Sequence, residues 1–343
     1  MVAVATATHY PPFTLHQSLL PPLSWFTFHF NDFALSFLSI LMEGVPFVLL
    51  GSVISGVVDV FVSSERMARL MPRNGTAAIL LGGLLGLIFP MCECGSVIVI
   101  RRFIKKGLPV SAAVSYMLAA PIVSPIVALS TFAAFKGQNP WVMTALRLAI
   151  GYLIAVTIAG IVRRVGEAKL LQPGVLSEER ERSRTGLRTT AQPTDQDFAA
   201  VIESSNFRQK LLLTVQSATA DFLDVAFFLI IGAAIASVFN TAVDQSIILP
   251  FATNVPLAII VLMALAAGLA LCSTTDAFIA ASFATFPPEA KLAFLLFGPM
   301  FDLKLFWLYG LIFRRRAVIA LAVGLFVAIG LICWRIGAIG IFG

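Results

Sequence analysis

Apolar runs of 20 or more residues recur along this chain from Phe33 to Phe342. Each is long enough to cross a hydrocarbon core of about 30 Å as a helix. A bilayer leaves the backbone few alternatives, because no water is there to satisfy exposed N–H and C=O groups. The runs lie at approximately 33–62, 76–100, 109–135, 141–162, 219–239, 247–284, 289–313 and 317–342. Charged residues make up 12% of the chain, against about 25% in an ordinary soluble domain. The pattern dictates an all-α integral membrane protein with the lipid bilayer as its first partner.

Four regions are expected: an extramembrane arm over 1–32, a first membrane repeat over 33–162, a charged cytoplasmic linker over 163–210 and a second membrane repeat over 211–343. The arm has four prolines and lacks the basic and apolar regions of a cleaved signal. It also holds all three histidines, His9, His16 and His29, so no imidazole is expected in the membrane core. The linker carries EERERSR, Pro173, Gly174 and Pro193, a composition too polar to bury a core. Although the net charge is +6, the basic residues cluster beside apolar runs, as cytoplasmic loops do. Nucleic acid is therefore not an expected partner.

The two halves are related. At an offset of 178, Cys94 falls on Cys272, Pro109 on Pro287, Leu118 on Leu296 and Pro121 on Pro299. At 181, Glu43 falls on Asp224, Gly51 on Gly232 and Ile54 on Ile235. Coincidences at cysteine, proline and intramembrane acids indicate an internal repeat.

Counting Lys and Arg decides between two topologies. If all eight runs cross once, the clusters divide fourteen against seven, and most of the larger number belongs to the linker. If 76–106 and 256–287 instead dip in and return, nineteen cations share one side and only Lys136 and Lys291 lie opposite. The second count is the stronger positive-inside signal. It predicts six full crossings and two re-entrant hairpins turning at PMCECG (90–95) and LCSTTD (271–276), with eight crossings as the alternative. The halves would then be inverted, a common transporter architecture, in a bacterial-type inner (plasma) membrane with the linker cytoplasmic.

Irregular backbone at membrane depth needs a cavity or surrounding protein. The turn of Cys92, Glu93, Cys94 and Gly95 should therefore line a cavity, with the second arm starting at Ser96 and its free N–H groups facing inward. The break APIVSP (120–125), with Pro121, Ser124 and Pro125, should face it. In the second half the counterparts are Cys272, Ser273, Thr274, Thr275 and Asp276, together with Asp302 and Lys304 in GPMFDLK (298–304). Ionisable groups at this depth are costly and usually functional, although Asp302 and Lys304 also suit mutual neutralisation. Glu43, before a kink at Pro46, and Asp224 are candidate proton carriers or interhelical hydrogen-bond partners.

Four cysteines are too few for a disulfide scaffold. Cys92 and Cys94, two apart in a turn, suit a soft cation or metalloid, with Cys272 as a third sulfur; buried cysteine can also be plain packing, the expectation for Cys333. No P-loop is present, so ATP hydrolysis is not expected, and no cofactor is implied. Three function classes follow: a secondary transporter, the membrane subunit of a metal delivery system docking a partner on its linker, or a membrane thiol oxidoreductase. The last lacks a CxxC and a nearby histidine.

PMCECG, the following RRFIKKGLPVSAAVSYMLAAPIVSP to Pro125, LCSTTDAFIAAS and FGPMFDLK together resemble the YraQ/ArsP-like predicted permeases over roughly 33–313. A known branch of that family exports trivalent organoarsenicals. The resemblance implies a multi-span permease for a small inorganic or organometalloid solute and points to Cys92, Cys94, Pro121, Pro125, Cys272 and Asp302. Glu93 stands where the arsenical branch implies a small residue, and an acid there favours a cationic solute.

Overall fold

A computed structural model describes residues 30–61, 72, 74–88, 91–105, 108–166, 170–172, 207–242 and 250–342. The chain is all-α. Twelve helices run among the described residues: α1 (Phe30–Phe61), α2 (Gly75–Ile88), α3 (Glu93–Lys105), α4 (Val110–Ala119), α5 (Pro125–Ala134), α6 (Pro140–Val165), α7 (Phe207–Ala242), α8 (Val255–Leu269), α9 (Thr275–Ser282), α10 (Pro288–Met300), α11 (Leu303–Tyr309) and α12 (Arg315–Ile339). The order long, four short, long occurs twice, so the repeat seen in residue matches is also a repeat of elements. The N-terminal arm up to residue 29 and linker residues 173–206 lie outside the described residues.

The halves are inverted. Gly44 of α1 sits against Leu229 of α7, Ser55 donates to Asp221, and Gly56 sits against Thr214 and Ala218. Ascending positions on one helix meet descending positions on the other, so the first helices of the two halves run antiparallel.

The hairpins follow from the same kind of register. A Cβ at Gly82 would meet Ala112, and one at Gly86 would come within 2.6 Å of the Ala120 Cα. Adjacent helices α2 and α4 therefore run parallel, which only a return by α3 permits. Glycine is required at both positions because the backbones approach too closely for a side chain. In the second half Gly298 meets Ala266, while Gly337 meets Glu289 and Phe297 packs edge-on to Phe326 at 5.6 Å. With Gly330 against Met263, α8 and α10 are also parallel and α9 is the returning arm.

Contacts then sort the ends into two faces. Gly75 lies beside the Arg163 guanidinium, and Leu171 bridges to Phe313, with the Arg314 N–H donating to the Leu170 carbonyl at 2.8 Å. The outer end of the first hairpin, the end of α6 and the start of α12 thus share one face, carrying Arg101, Arg102, Arg163, Arg164 and Arg314 to Arg316. At the other, Gln138 joins Lys291 to the Ala281 carbonyl, beside Lys136. Among the described residues the cations are segregated as the two-hairpin count requires; Arg66, Arg69, Arg73 and Lys106 of that count lie outside the described residues.

Among the described residues, Phe30–Val58, Pro140–Val165, Arg208–Val238, Pro288–Tyr309 and Arg315–Ile339 are long and apolar enough to cross a membrane. The sixth crossing is α4 with α5, two ten-residue helices of about 15 Å each. Every residue of α4 is buried, as are eleven of the thirteen in α10. These two helices are buried on nearly all sides and form the centre; α1, α7 and α12 turn Leu, Val and Phe outward, as lipid contact demands.

Two boundaries differ from the sequence expectation. Helix α7 begins at Phe207, inside the segment assigned to the linker, and its early turns pack on α1 where Gly56 meets the Thr214 carbonyl and Ala218. Residues 170–172 are no free tether: the Gln172 N–H donates to the Ile312 carbonyl at 3.0 Å, and Leu171 is buried.

Candidate functional site

The turns of the two hairpins meet around one cavity of about 210 Å³. Cys92, Glu93 and Cys94 come from the first turn, Ala270, Leu271, Cys272 and Thr275 from the second, and Lys304 from the second-half break. Helix α1 contributes Ser36, Ser39, Glu43 and Phe47, one stripe at helical spacing. The stripe reaches from mid-helix toward the start of α1, so the cavity lies on the side away from the arginine-rich face.

The second arm of the first hairpin begins earlier than Ser96. Helix α3 starts at Glu93, because the Ser96 N–H already closes a turn onto the Cys92 carbonyl at 3.1 Å and the Gly95 N–H donates to the Cys92 Sγ at 3.4 Å. Glu93 and Cys94 are therefore first-turn helical residues, and the Cys92 thiol does the work of a capping side chain. Gly95 does not line the cavity; it packs on Gly51, where an added Cβ would come within 3.0 Å of its backbone.

Lys304 joins the two turns. Its Nζ donates to Glu93 Oε1 at 2.9 Å, to the Ala270 carbonyl at 2.9 Å and to that of Leu271 at 3.3 Å, and lies 3.5 Å from Asp302 Oδ2. Ala270 ends α8 in the left-handed region at φ 49°, a conformation costing a non-glycine residue about 1–2 kcal/mol. Asp302 caps α11 by accepting from the Leu305 N–H at 2.7 Å. Glu93 Oε2 and Asp302 Oδ2 are buried and accept no hydrogen bond. Glu43 accepts a hydrogen bond from the Thr275 hydroxyl, across the halves.

The other predicted residues lie elsewhere. Asp276 is buried and held in bidentate fashion by Arg147 Nη2, at 3.0 and 2.8 Å, which also binds the Ser273 carbonyl at 3.0 Å. The Thr274 hydroxyl is 3.8 Å from the Cys272 sulfur. Pro121, Ser124 and Pro125 do not line the cavity: the break packs on Gly86 and Gly151, with the Ser124 hydroxyl capping α5 and Pro125 at its first position. The break that reaches PMCECG is instead that of the second half, through Lys304. Asp224 pairs with Arg101 at 3.0 Å and is half exposed, outside the cavity.

Among the described residues no three His, Cys, Asp or Glu side chains converge as a metal-holding group. Cys92, Cys94 and Cys272 share the cavity without forming a ready-made three-thiolate site. Cys333 is buried in α12, away from them. Sequence reasoning missed Arg147, whose position inside an apolar run was the available signal, and the set in which Arg102 binds both carboxylate oxygens of Asp221, at 3.0 and 2.9 Å, with Ser55 and Ser217. That set closes the space between α1, α3 and α7 on the arginine-rich side of the cavity.

The sequence profile of the ArsP_1 family, described as predicted permeases, matches residues 29–336. The UPF0718 protein YcgR of Bacillus subtilis is 37% identical over 287 residues, covering 83% of this chain and 90% of the relative. A protein of Streptococcus mutans named a putative two-component membrane permease complex subunit is 33% identical over 270 residues, covering 78% of this chain and 82% of the relative. No solved structure matches significantly. With inverted halves, paired hairpin turns and a family match over nearly its whole length, the chain belongs to the ArsP_1 predicted permease family, membrane permeases by description.

Proposed function

We propose that this permease exports a soft, thiol-reactive metal or metalloid species, binding it in the cavity between the two hairpin turns. The observation that carries this reading is the sharing of that one cavity by Cys92, Cys94 and Cys272, which come from both halves. Thiols bind soft cations and metalloids in preference to hard ones, and two sulfurs from one turn with a third from the other let the solute draw the halves together. Ser36, Ser39 and Glu43 form the route from the face opposite the arginines. Gly51 on Gly95 and the Arg102 to Asp221 set block the arginine-rich side, so alternating access requires that seal to open. Glu43, hydrogen-bonded across the halves, is the proposed proton carrier; Asp224 fits that role less well, being tied to Arg101 outside the cavity.

The test is complementation of a deletion strain across silver, copper, antimonite and arylarsenical salts. The wild-type chain should restore growth on at least one of them. Cys94→Ser and Cys272→Ser should each lose that resistance at normal expression. If the triple serine variant of Cys92, Cys94 and Cys272 protects as well as wild type, the thiol site is wrong.

A second reading has one observation behind it. The Streptococcus mutans relative is named as a complex subunit, and the linker from Arg163 to Lys210 would be the docking surface for a partner. Deleting 176–200 should then abolish resistance while the purified protein keeps its melting temperature; retained resistance would remove this reading.

A further inference from the structure

We infer that the solute of this cavity is a cation, and that the Lys304 ammonium is its built-in competitor, occupying the cation cradle formed by Glu93 and the end of α8 whenever the solute is absent. The inference rests on the soft-solute reading above and adds the charge of the solute and the group it displaces.

The cradle is constructed from both halves. Glu93 brings a carboxylate on the first turn of α3, and the carbonyls of Ala270 and Leu271 converge on the same ammonium. Those carbonyls end α8, where the helix dipole favours positive charge, and the left-handed turn at Ala270 is the kind of local strain that persists where a site needs it. Half-helix C-termini and unwound carbonyls at the repeat interface are suited to holding cations.

Carboxyl groups outnumber ammonium groups around the cavity. Glu43 and Glu93 line it, and Asp302 is 3.5 Å from the Lys304 ammonium. Lys304 is the one cationic side chain lining it among the described residues, and Arg147 is committed to Asp276. Glu93 and Asp302 are each at least 98% buried, and each keeps an oxygen without a hydrogen bond. Buried carboxylates in excess of their partners are expensive, and an entering cation offsets that cost by taking the unpartnered Glu93 Oε2. The thiols of Cys92, Cys94 and Cys272 line the same cavity as this acid and would select soft cations among those that enter. Once the cation is bound to Glu93, the Lys304 ammonium is repelled from it and the link between the two turns is loosened, which couples loading to motion of the halves.

The experiment uses the full-length protein in lipid nanodiscs, titrated calorimetrically with silver nitrate as a soft monovalent cation and with phenylarsine oxide as an uncharged thiol reagent. Lys304→Met should bind silver about tenfold or more tightly than wild type, the scale of a close charge pair, with phenylarsine oxide affinity unchanged within about threefold. Glu93→Gln should weaken silver about tenfold or more and leave phenylarsine oxide unchanged within the same limit. If Lys304→Met is not monodisperse, Lys304→Arg serves: its bidentate guanidinium holds Glu93 more firmly, so silver should weaken. Silver affinity that does not respond to either Lys304 variant, or that moves in parallel with phenylarsine oxide, overturns the inference while leaving the soft-solute reading standing. Wild-type protein that binds neither probe defeats both.

Discussion

Lys304 and Glu93 stand 211 residues apart in the chain, and their side chains meet at 2.9 Å where the broken crossing of the second half touches the hairpin turn of the first. A second pair, Arg147 and Asp276 at 2.8 Å, joins the sixth helix of the first half to the hairpin turn of the second. Each half therefore secures the re-entrant turn of the other with a buried ion pair.

Removing one member of such a pair leaves an uncompensated buried charge, at about 3–5 kcal/mol. Arg147→Met and Asp276→Leu should each destabilise the purified protein by an amount of that order, read as a fall in its melting temperature. The Arg147→Met/Asp276→Leu double variant should recover at least half of the loss. Additive losses in the double variant would mean that the two side chains do not act as a pair.

The cysteines separate by position. Solute bound at the hairpin turns should slow maleimide modification of Cys92, Cys94 and Cys272 by about tenfold, the factor set by occupancy at ten times Kd. Cys333→Ser should leave resistance and solute affinity within about twofold of wild type, since a buried cysteine of this kind is packing. Mass spectrometry of labelled peptides reads both results; protection that does not distinguish the three cavity cysteines from Cys333 would show a general change in access.

Helices α2 and α4 touch through glycine. Gly86→Leu would drive a side chain into the Ala120 Cα, 2.6 Å from the added Cβ, at an overpacking cost of about 1–3 kcal/mol or more. Gly160→Leu, at a position with open space around it, should be neutral to within about 0.5 kcal/mol. Thermal denaturation in detergent compares the two, and equal effects would contradict the parallel packing on which the hairpin depends.

Topology has its own readout. Single cysteines introduced at Asn74 and Arg164 should react with a membrane-impermeant reagent from one side of sealed vesicles, and those at Gln138 and Ser282 from the other. Labelling of Asn74→Cys and Gln138→Cys from the same side would exclude the arrangement of faces described above.

Much of this was legible in the residues. The matches Cys94 with Cys272 and Pro121 with Pro299 located the repeat, and the nineteen-to-two split of cations found both hairpins because charge segregation across a bilayer is a property of sequence position. The residues PMCECG, LCSTTD and Lys304 were marked by chemistry too polar for their depth. Glu43 and Asp224, equivalent in the repeat, have different surroundings. Antiparallel packing sets Gly44 against Leu229, so Glu43 opens on the cavity, while Asp224 falls beside α3 and meets Arg101.

The sequence by itself determined the membrane class, the inverted halves, the two turns and the residue types that reach them, because hydrophobic run length, charge bias and helix-breaking residues act locally along the chain. Only the tertiary structure decided that the second-half break, not APIVSP, faces PMCECG, that Arg147 secures Asp276, and that Lys304 bridges Glu93 to the end of α8. Those outcomes depend on the rotation and register of whole helices against one another, which are set by close packing at Gly51, Gly82 and Gly86 and by ion pairs spanning more than a hundred residues.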